Sequence, residues 1–205
     1  MKDTCRFKSK RNEVFLRGGL VVKRRSGPAE AEAEAALLRG YRRAGAAVPR
    51  VLGVNGADIV MEYIPGETIP DFLECMEKSP DEGLLREAAL GLCLWFEGFY
   101  GAVGGKEIRG DVNGRNFIVT PERAVISVDF EERAFGAPER DIGRLLAFIR
   151  AYDPPGTQAK RLFSRLFMDA AAERLGLSAS EIIAQFRLEL RDMKKRRGRE
   201  PLCLQ

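Results

Sequence analysis

Short apolar runs separated by glycine turns fill the first third of this chain, and helical spacing dominates from Pro70 onward. Residues 13–16 and 20–24 are apolar runs joined by Gly18-Gly19, which predicts a β-hairpin. Ser26-Gly-Pro opens an Ala/Glu-rich stretch with Pro28 in its first turn and glutamates at its positive end. That pattern predicts a helix running to Ala44 and stopping at Gly45, and the Ala/Glu bias is accounted for by helix propensity. Residues 48–54 and 58–63 predict two more strands around an Asn55-Gly56 turn. Residues 64–67, Ile-Pro-Gly-Glu, read as a linker. Beyond it the spacing predicts a short helix over 71–77 and a long apolar one over 82–100. A second hairpin, 117–120 and 124–128, turns near Pro121. Three helices follow near 139–151, 158–175 and 179–196, with Leu177-Ser-Ala-Ser180 supplying a helix stop and a new N-cap. Strands first and helices afterwards predict an α+β fold.

At 205 residues, 45% hydrophobic and 31% charged, the chain is globular and long enough for one domain or two tightly joined lobes. Its most apolar stretch, residues 88–100, is too short to span a bilayer and contains Glu97, so it is expected to be a buried helix. Cys5, Cys75, Cys93 and Cys203 show no C-x-x-C pairing, and nothing resembles a secretory signal; a reduced cytoplasmic chain is expected. The sequence has no histidine, which excludes Ser-His-Asp hydrolysis, Cys-His proteolysis and histidine-ligated zinc. Carboxylates, amides and Lys/Arg are left as working groups. The net charge of +4 is uneven: the tail from Arg191 to Arg199 carries six basic residues and one acidic. A second basic group runs from Arg6 to Arg11, followed by Arg17 and Lys23-Arg-Arg25. The tail is either a solvated helix end, where cations are favoured, or a contact for RNA or an acidic partner.

The chemistry concentrates in Gly110-Asp-Val-Asn-Gly-Arg-Asn116 and Val128-Asp-Phe-Glu131. An Asp, an Asn five positions on and a second Asp at the end of the next strand are the polar parts a phosphoryl-transfer site requires. One carboxylate orients the acceptor hydroxyl and can take its proton, while the amide oxygen and the other carboxylate hold Mg²⁺ on the nucleotide phosphates. Mg²⁺ takes oxygen ligands and keeps several waters, so two protein oxygens plus phosphate suffice. Asp and Asn are ordinary loop residues, but the 117–128 hairpin returns Asp129 to Asn116. That makes Asp111 the candidate catalytic residue and Asn116 and Asp129 the candidate metal ligands.

On these two segments the chain resembles the protein-kinase-like superfamily, and its compact atypical branch above all. That branch includes the RIO kinases, the KEOPS-complex kinase, the Kdo/lipopolysaccharide kinases and the aminoglycoside phosphotransferases. Residues 110–116 are similar to their Gly-Asp-x-x-x-x-Asn catalytic loop, residues 128–131 to their metal-binding Asp-Phe motif, and the likeness runs from about Val14 to Ile149. It implies a bilobal fold: a small antiparallel-sheet N-lobe with one helix over residues 1–64, a hinge over 65–69, and a mainly helical C-lobe with the basic tail over 70–205. ATP would bind in the cleft.

By the same resemblance, Lys23, at the end of Leu-Val-Val-Lys, would hold the nucleotide phosphates and pair with a glutamate on the next helix. Helical phase puts positions 30, 34, 37/38 and 41 on the core face and turns Glu32 to solvent. Of Glu30 and Glu34, the latter begins Glu-Ala-Ala-Leu-Leu, similar to the KEOPS kinase. The Glu62 carbonyl and Ile64 amide would bind the adenine edge. Asp141 either braces the catalytic loop, as an aspartate does in related phosphotransferases, or caps a helix.

The chain departs from the family in three places. No glycine-rich loop precedes Lys23; residues 8–12, Lys-Ser-Lys-Arg-Asn, stand there instead. Arg109 stands where most relatives have histidine, and Asn113 where protein Ser/Thr kinases have lysine. Ala137-Pro-Glu139 imitates the end of an activation segment but follows Asp129 too closely for a peptide-docking loop. The expectation is an ATP- and Mg²⁺-dependent phosphotransferase, first an atypical protein serine/threonine kinase, with a small-molecule or lipopolysaccharide-type kinase as the alternative. From another class, the rival is a kinase-like ATP- or RNA-binding module with little or no transfer activity.

Overall fold

A computed structural model describes residues 5–7, 12–105, 107–131 and 133–198. Residues 8–11, most of the Lys-Ser-Lys-Arg-Asn segment, and the tail from Arg199, with Cys203, lie outside the described residues. The fold is α+β, a five-stranded antiparallel sheet followed by a mainly helical part.

The sheet comprises β1 (Cys5–Phe7), β2 (Glu13–Arg17), β3 (Leu20–Arg24), β4 (Val51–Asn55) and β5 (Asp58–Glu62), in the order β1-β2-β3-β5-β4. Gly18 and Gly19, at φ +60° and +79°, make the β2–β3 turn, the two positive φ values that a tight hairpin following the strand twist demands. β3 is central: Lys23 faces Val14 across β2 and Ile59 across β5. The β4–β5 turn lies one residue later than the sequence predicts, on Gly56-Ala57, with Asn55 paired to Asp58.

Helix α1 (Pro28–Arg43) starts at Pro28 and covers the sheet with Ala31, Ala35 and Leu38, all buried. Its buried face is Ala31, Glu34, Ala35, Leu38 and Tyr41. The expected face is therefore rotated at its start, where Ala31 takes the core position and Glu30 is exposed. The small alanine lets the helix lie close to the strands, which a glutamate there would prevent.

Residues 65–69 are less of a linker than the sequence suggests. Glu67–Thr68 form β6, which pairs with β8 (Phe117–Val119), and α2 (Ile69–Lys78) starts at once. The long helix α3 (Glu82–Val103) is capped by Asp81, whose side chain accepts from the Leu84 amide. It buries Trp95, Phe96 and Phe99 in a ring cluster with Phe117 and Phe130. Each such side chain contributes roughly 1.5–3 kcal/mol on burial. Tyr41 of α1 enters the same cluster, 5.1 Å from Phe130 and 5.4 Å from Phe99, and joins the sheet side to the helical side.

After α3 come β7 (Glu107–Ile108), a 3-10 turn over Gly114–Asn116, β8, β9 (Val125–Ser127) and β10 (Ala134–Phe135). β7 pairs with β10, and β6-β8-β9 form a small sheet. The helices α4 (Pro138–Ala151), α5 (Gln158–Leu175) and α6 (Ala179–Arg197) complete the fold. α6 approaches α4 at Gly143, where an added Cβ would lie 2.6 Å from both the Gln185 Cβ and the Ile182 carbonyl. Cys75 and Cys93 carry free thiols. No helix among the described residues is long and apolar enough to cross a membrane.

Candidate active site

Lys23 projects from the central strand into a buried cluster of charges. Its Nζ donates to Glu34 Oε1 at 2.7 Å and also to Asp129 Oδ1, with Glu131 Oε1 3.9 Å away. The lysine and Glu34 side chains are 5% and 1% exposed, whereas Asp129 is 38% exposed and opens to solvent. Glu34, and not Glu32, therefore meets the lysine. Glu32 is on the solvent side, 63% exposed and 3.8 Å from Arg39. Burial pushes the Glu34 carboxyl above its ordinary range, against the pull of Lys23 and Arg25. Removing one partner of such a pair strands the other's charge and costs about 3–5 kcal/mol.

The hairpin β8–β9 delivers the two candidate metal ligands. Phe117 faces Ser127 in its register, and the Val128 amide donates to the Asn116 carbonyl at 2.8 Å, so Asp129 follows directly after Asn116's partner. Asp111 and Asn116 meet as well: Asn116 Nδ2 donates to Asp111 Oδ2 at 3.1 Å. The other Asp111 oxygen accepts from the Asn113 amide at 3.4 Å, a long local turn contact. Asp111 is exposed.

The loop carrying Asp111 is held from behind by α4. Asp141, buried in the first turn of that helix, accepts from the backbone N–H of Arg109 at 2.6 Å and of Gly110 at 3.0 Å, and from the Tyr100 hydroxyl at 3.1 Å. The N-cap position belongs to Ala137, so Asp141 braces the loop and does not cap the helix. Burial raises its carboxyl above the usual range despite these three donors. At the far end of α4, the Tyr152 hydroxyl donates to Asn113 Oδ1 at 2.7 Å and accepts from the Gly114 amide at 2.9 Å. Burial pushes that hydroxyl up to about 12.

Arg109 fills the space under Asp129. Its Nε donates to Ser127 Oγ at 3.1 Å, its Nη2 to the carbonyls of Val128 and Asp129 at 2.8 Å each, and its guanidinium lies over Phe130. Burial lowers its pKa. Asp129 sits at φ +66°, a left-handed conformation that Asp tolerates better than most residues but that still costs about 1–3 kcal/mol.

Two groups that the sequence did not single out complete the cluster. Arg25 Nη1 donates to Glu131 Oε1 at 2.6 Å and lies 3.4 Å from Glu34 Oε2. Asn12 Nδ2 donates to the same Glu131 oxygen at 2.7 Å. Burial would raise Glu131, but Arg25, Asn12 and Lys23 together hold it below its ordinary range. The sequence signal was present in Arg25, two positions after Lys23 and just past the end of β3, and in the acid two positions after Asp129.

At the other end of β5, Glu62 pairs with Leu20 across the sheet, and its side chain accepts from the Arg50 amide at 2.7 Å and Arg42 at 3.1 Å. Ile64 is buried two residues beyond. Comparison with models of known families and with curated proteins finds no match for this chain.

A metal ion would find few protein ligands in this cluster. Among the described residues no three acidic or cysteine side chains form a metal cage. An ion would rest on Asp129 and Asn116 with its remaining positions filled by water and phosphate, as Mg²⁺ prefers.

Proposed function

We propose that this protein is an ATP- and Mg²⁺-dependent phosphotransferase with a kinase-like bilobal architecture. One observation carries the reading: a buried lysine paired with Glu34 at 2.7 Å reaches the half-buried Asp129, beside a loop on which Asn116 is hydrogen-bonded to Asp111. This is a phosphate-binding cation, a candidate metal pair and a candidate base in one constellation, where catalysis is positioning plus charge stabilisation.

In this reading Lys23 binds phosphate oxygens and Glu34 orients it. The backbone of Glu62 and Ile64 receives the adenine edge. Asn116 and Asp129 would hold Mg²⁺, whose chemistry is neutralisation of the phosphate charge. Asp111 aligns the acceptor hydroxyl and accepts its proton as the γ-phosphoryl group passes from ATP to that oxygen and ADP leaves. The acceptor is first assigned as a protein serine or threonine, from the resemblance to the KEOPS and RIO kinases. The short link from Asp129 to α4, part of it paired to β7, favours a small-molecule acceptor as the second reading.

The rival binding module draws on Glu131, which already occupies Arg25 and approaches Lys23. Calorimetric titration with ATP, with and without Mg²⁺, followed by turnover measurements, separates the two. Asp129→Asn keeps an acceptor for Lys23 and tolerates positive φ. It is expected to cut Mg²⁺-dependent turnover by about 10²-fold or more, the scale of losing one electrostatic group. Unchanged turnover in that variant would remove Asp129 from the metal site, and MgATP binding without turnover in the parent would favour the module.

A further inference from the structure

Gly110 immediately precedes the candidate base, and it is held on both sides by α4. Its amide donates to Asp141 Oδ1 at 3.0 Å and its carbonyl accepts from Arg144 Nη1 at 2.8 Å. Asp141 and Arg144 are three residues apart and share a helix face. Gly110 lies at φ +75°, and a Cβ there would fall 2.5 Å from that of Ala134, so neither another residue type nor repacking can fix this backbone. Its carbonyl also accepts from the Val112 amide at 3.2 Å, which closes the loop around Asp111.

An arginine is a long, rotamer-rich side chain, with about 2 kcal/mol of entropy to lose; it braces a loop only if it is itself fixed. Glu189 of α6 fixes it. Arg144 Nε donates to Glu189 Oε2 at 3.1 Å, and the carboxylate is buried, with its other oxygen taken by Arg196 Nη2 at 2.5 Å. The close approach at Gly143 brings α6 near enough for this contact. A staple between two helices needs only the Arg144–Glu189 pair. The second donor, spent on the carbonyl before Asp111, is what a staple does not require.

We propose that Arg144, set by Glu189, is a positioning residue: it orients the Gly110–Asp111 peptide, and through it the Asp111 carboxylate, so that the last helix takes part in shaping the site. The catalytic consequence rests on the phosphotransferase reading; the loop geometry does not.

The test uses the full chain with Arg144→Met, Arg144→Lys and Glu189→Gln, reading amide hydrogen exchange by NMR and MgATP hydrolysis. Arg144→Met is expected to speed exchange at the Asp111 and Val112 amides by about 10- to 100-fold, the range set by loss of a charge-assisted hydrogen bond. Amides of β3 and β5 should keep the parent rate. Glu189→Gln should move the same amides less, and Arg144→Lys should recover part of the loss. Hydrolysis should fall in kcat with KM for ATP unchanged, because Arg144 touches none of the nucleotide-binding groups. Parent-level exchange in the loop, or faster exchange confined to α4 and α6, would overturn the proposal and leave a simple staple. A parent without MgATP turnover would instead sink the phosphotransferase reading, while the exchange data still decide whether Arg144 sets the loop.

Discussion

Arg109 lies over the ring of Phe130, its guanidinium carbon 4.0 Å from the ring centroid, and from there it donates to the carbonyls of Val128 and Asp129. One side chain thus ties the loop before Asp111 to the strand end that presents Asp129. The strain of a left-handed aspartate is offset by a cation bonded to its own carbonyl. Arg109 reaches two carbonyls and an aromatic face at once, which the arginine fork permits.

Arg109→Met tests that link. Methionine keeps most of the packing over Phe130 but supplies no donor, leaving buried carbonyls unmet. The expected loss is about 2–4 kcal/mol, given about 1.5–3 kcal/mol for a hydrogen bond to a charged group plus the desolvation of its partners. Urea unfolding measures it. A variant as stable as the parent would mean that Arg109 is a passenger of the loop.

Glu34 and Glu32, two residues apart on α1, should respond very unequally to the same change. Glu34→Gln leaves Lys23 and Arg25 short of an anion in a buried setting and should destabilise by about 3 kcal/mol. Under the proposed function it should also slow turnover, because Lys23 loses the partner that orients it. Glu32→Gln, at an exposed site, should stay within about 0.5 kcal/mol. A reversed order, in stability or in turnover, would break the pairing of Lys23 with Glu34.

The choice of Glu34 over Glu32 was legible in the sequence because a helix fixes which residues share a side, and Leu38 and Tyr41 mark the core side; the pairing with Lys23 was implied only by the resemblance. The phase was read one position off at the helix start, since a glutamate and an alanine are equally good helix formers and pattern alone does not choose between them. The 117–127 hairpin was legible from two apolar runs around a proline turn. Strands β1, β6, β7 and β10 were not, because two or three residues carry too little alternation to register. The roles of Arg109 and Arg144 were invisible for a different reason. A sequence shows a cation, and only the fold shows that its partners are carbonyls on a distant loop.

Glu131 predicts a pH dependence whose sign is fixed by its neighbours. Arg25, Asn12 and Lys23 hold its carboxyl below the ordinary value of 4.5, so its contribution is present above that pH and is lost as pH falls through the lower folded value. Glu34 works the other way. Burial raises it, so its contribution is full below 4.5 and is lost as pH rises through the folded value. Glu131→Gln should therefore flatten the loss of stability below pH 4.5, whereas Glu34→Gln should remove a loss that accompanies rising pH above 4.5. Asp58, held low by Arg24, titrates identically in parent and variants and cancels in the comparison. Denaturant unfolding at a series of acid pH values reads the slopes. Parallel curves for parent and Glu131→Gln would show that the Arg25 contact carries no net stabilisation.

The basic end of α6 provides the last test, between a solvated helix end and a contact for RNA. Arg187, Arg191, Lys194 and Lys195 are exposed on the helix, and positions 187, 191, 194 and 195 fall on one side of it. Met193 is buried, and Arg196 is committed to Glu189. Deleting the chain from residue 194 would therefore remove both a contact surface and a brace of α4, and its outcome would be ambiguous. Arg191→Gln, Lys194→Gln and Lys195→Gln combined removes three solvent-facing charges and leaves Met193, Glu189 and Arg196 in place. If each of those cations meets a phosphate of single-stranded RNA, the slope of log affinity against log salt should shrink by about 2, at about 0.7 per phosphate. The melting temperature should hardly move, since exposed substitutions change stability by about 0.5 kcal/mol or less. Fluorescence titrations of a labelled oligoribonucleotide at several salt concentrations, with a melting curve for each protein, give both numbers. An unchanged affinity and salt slope would end the RNA contact and leave these cations as the solvated, dipole-favoured end of a helix.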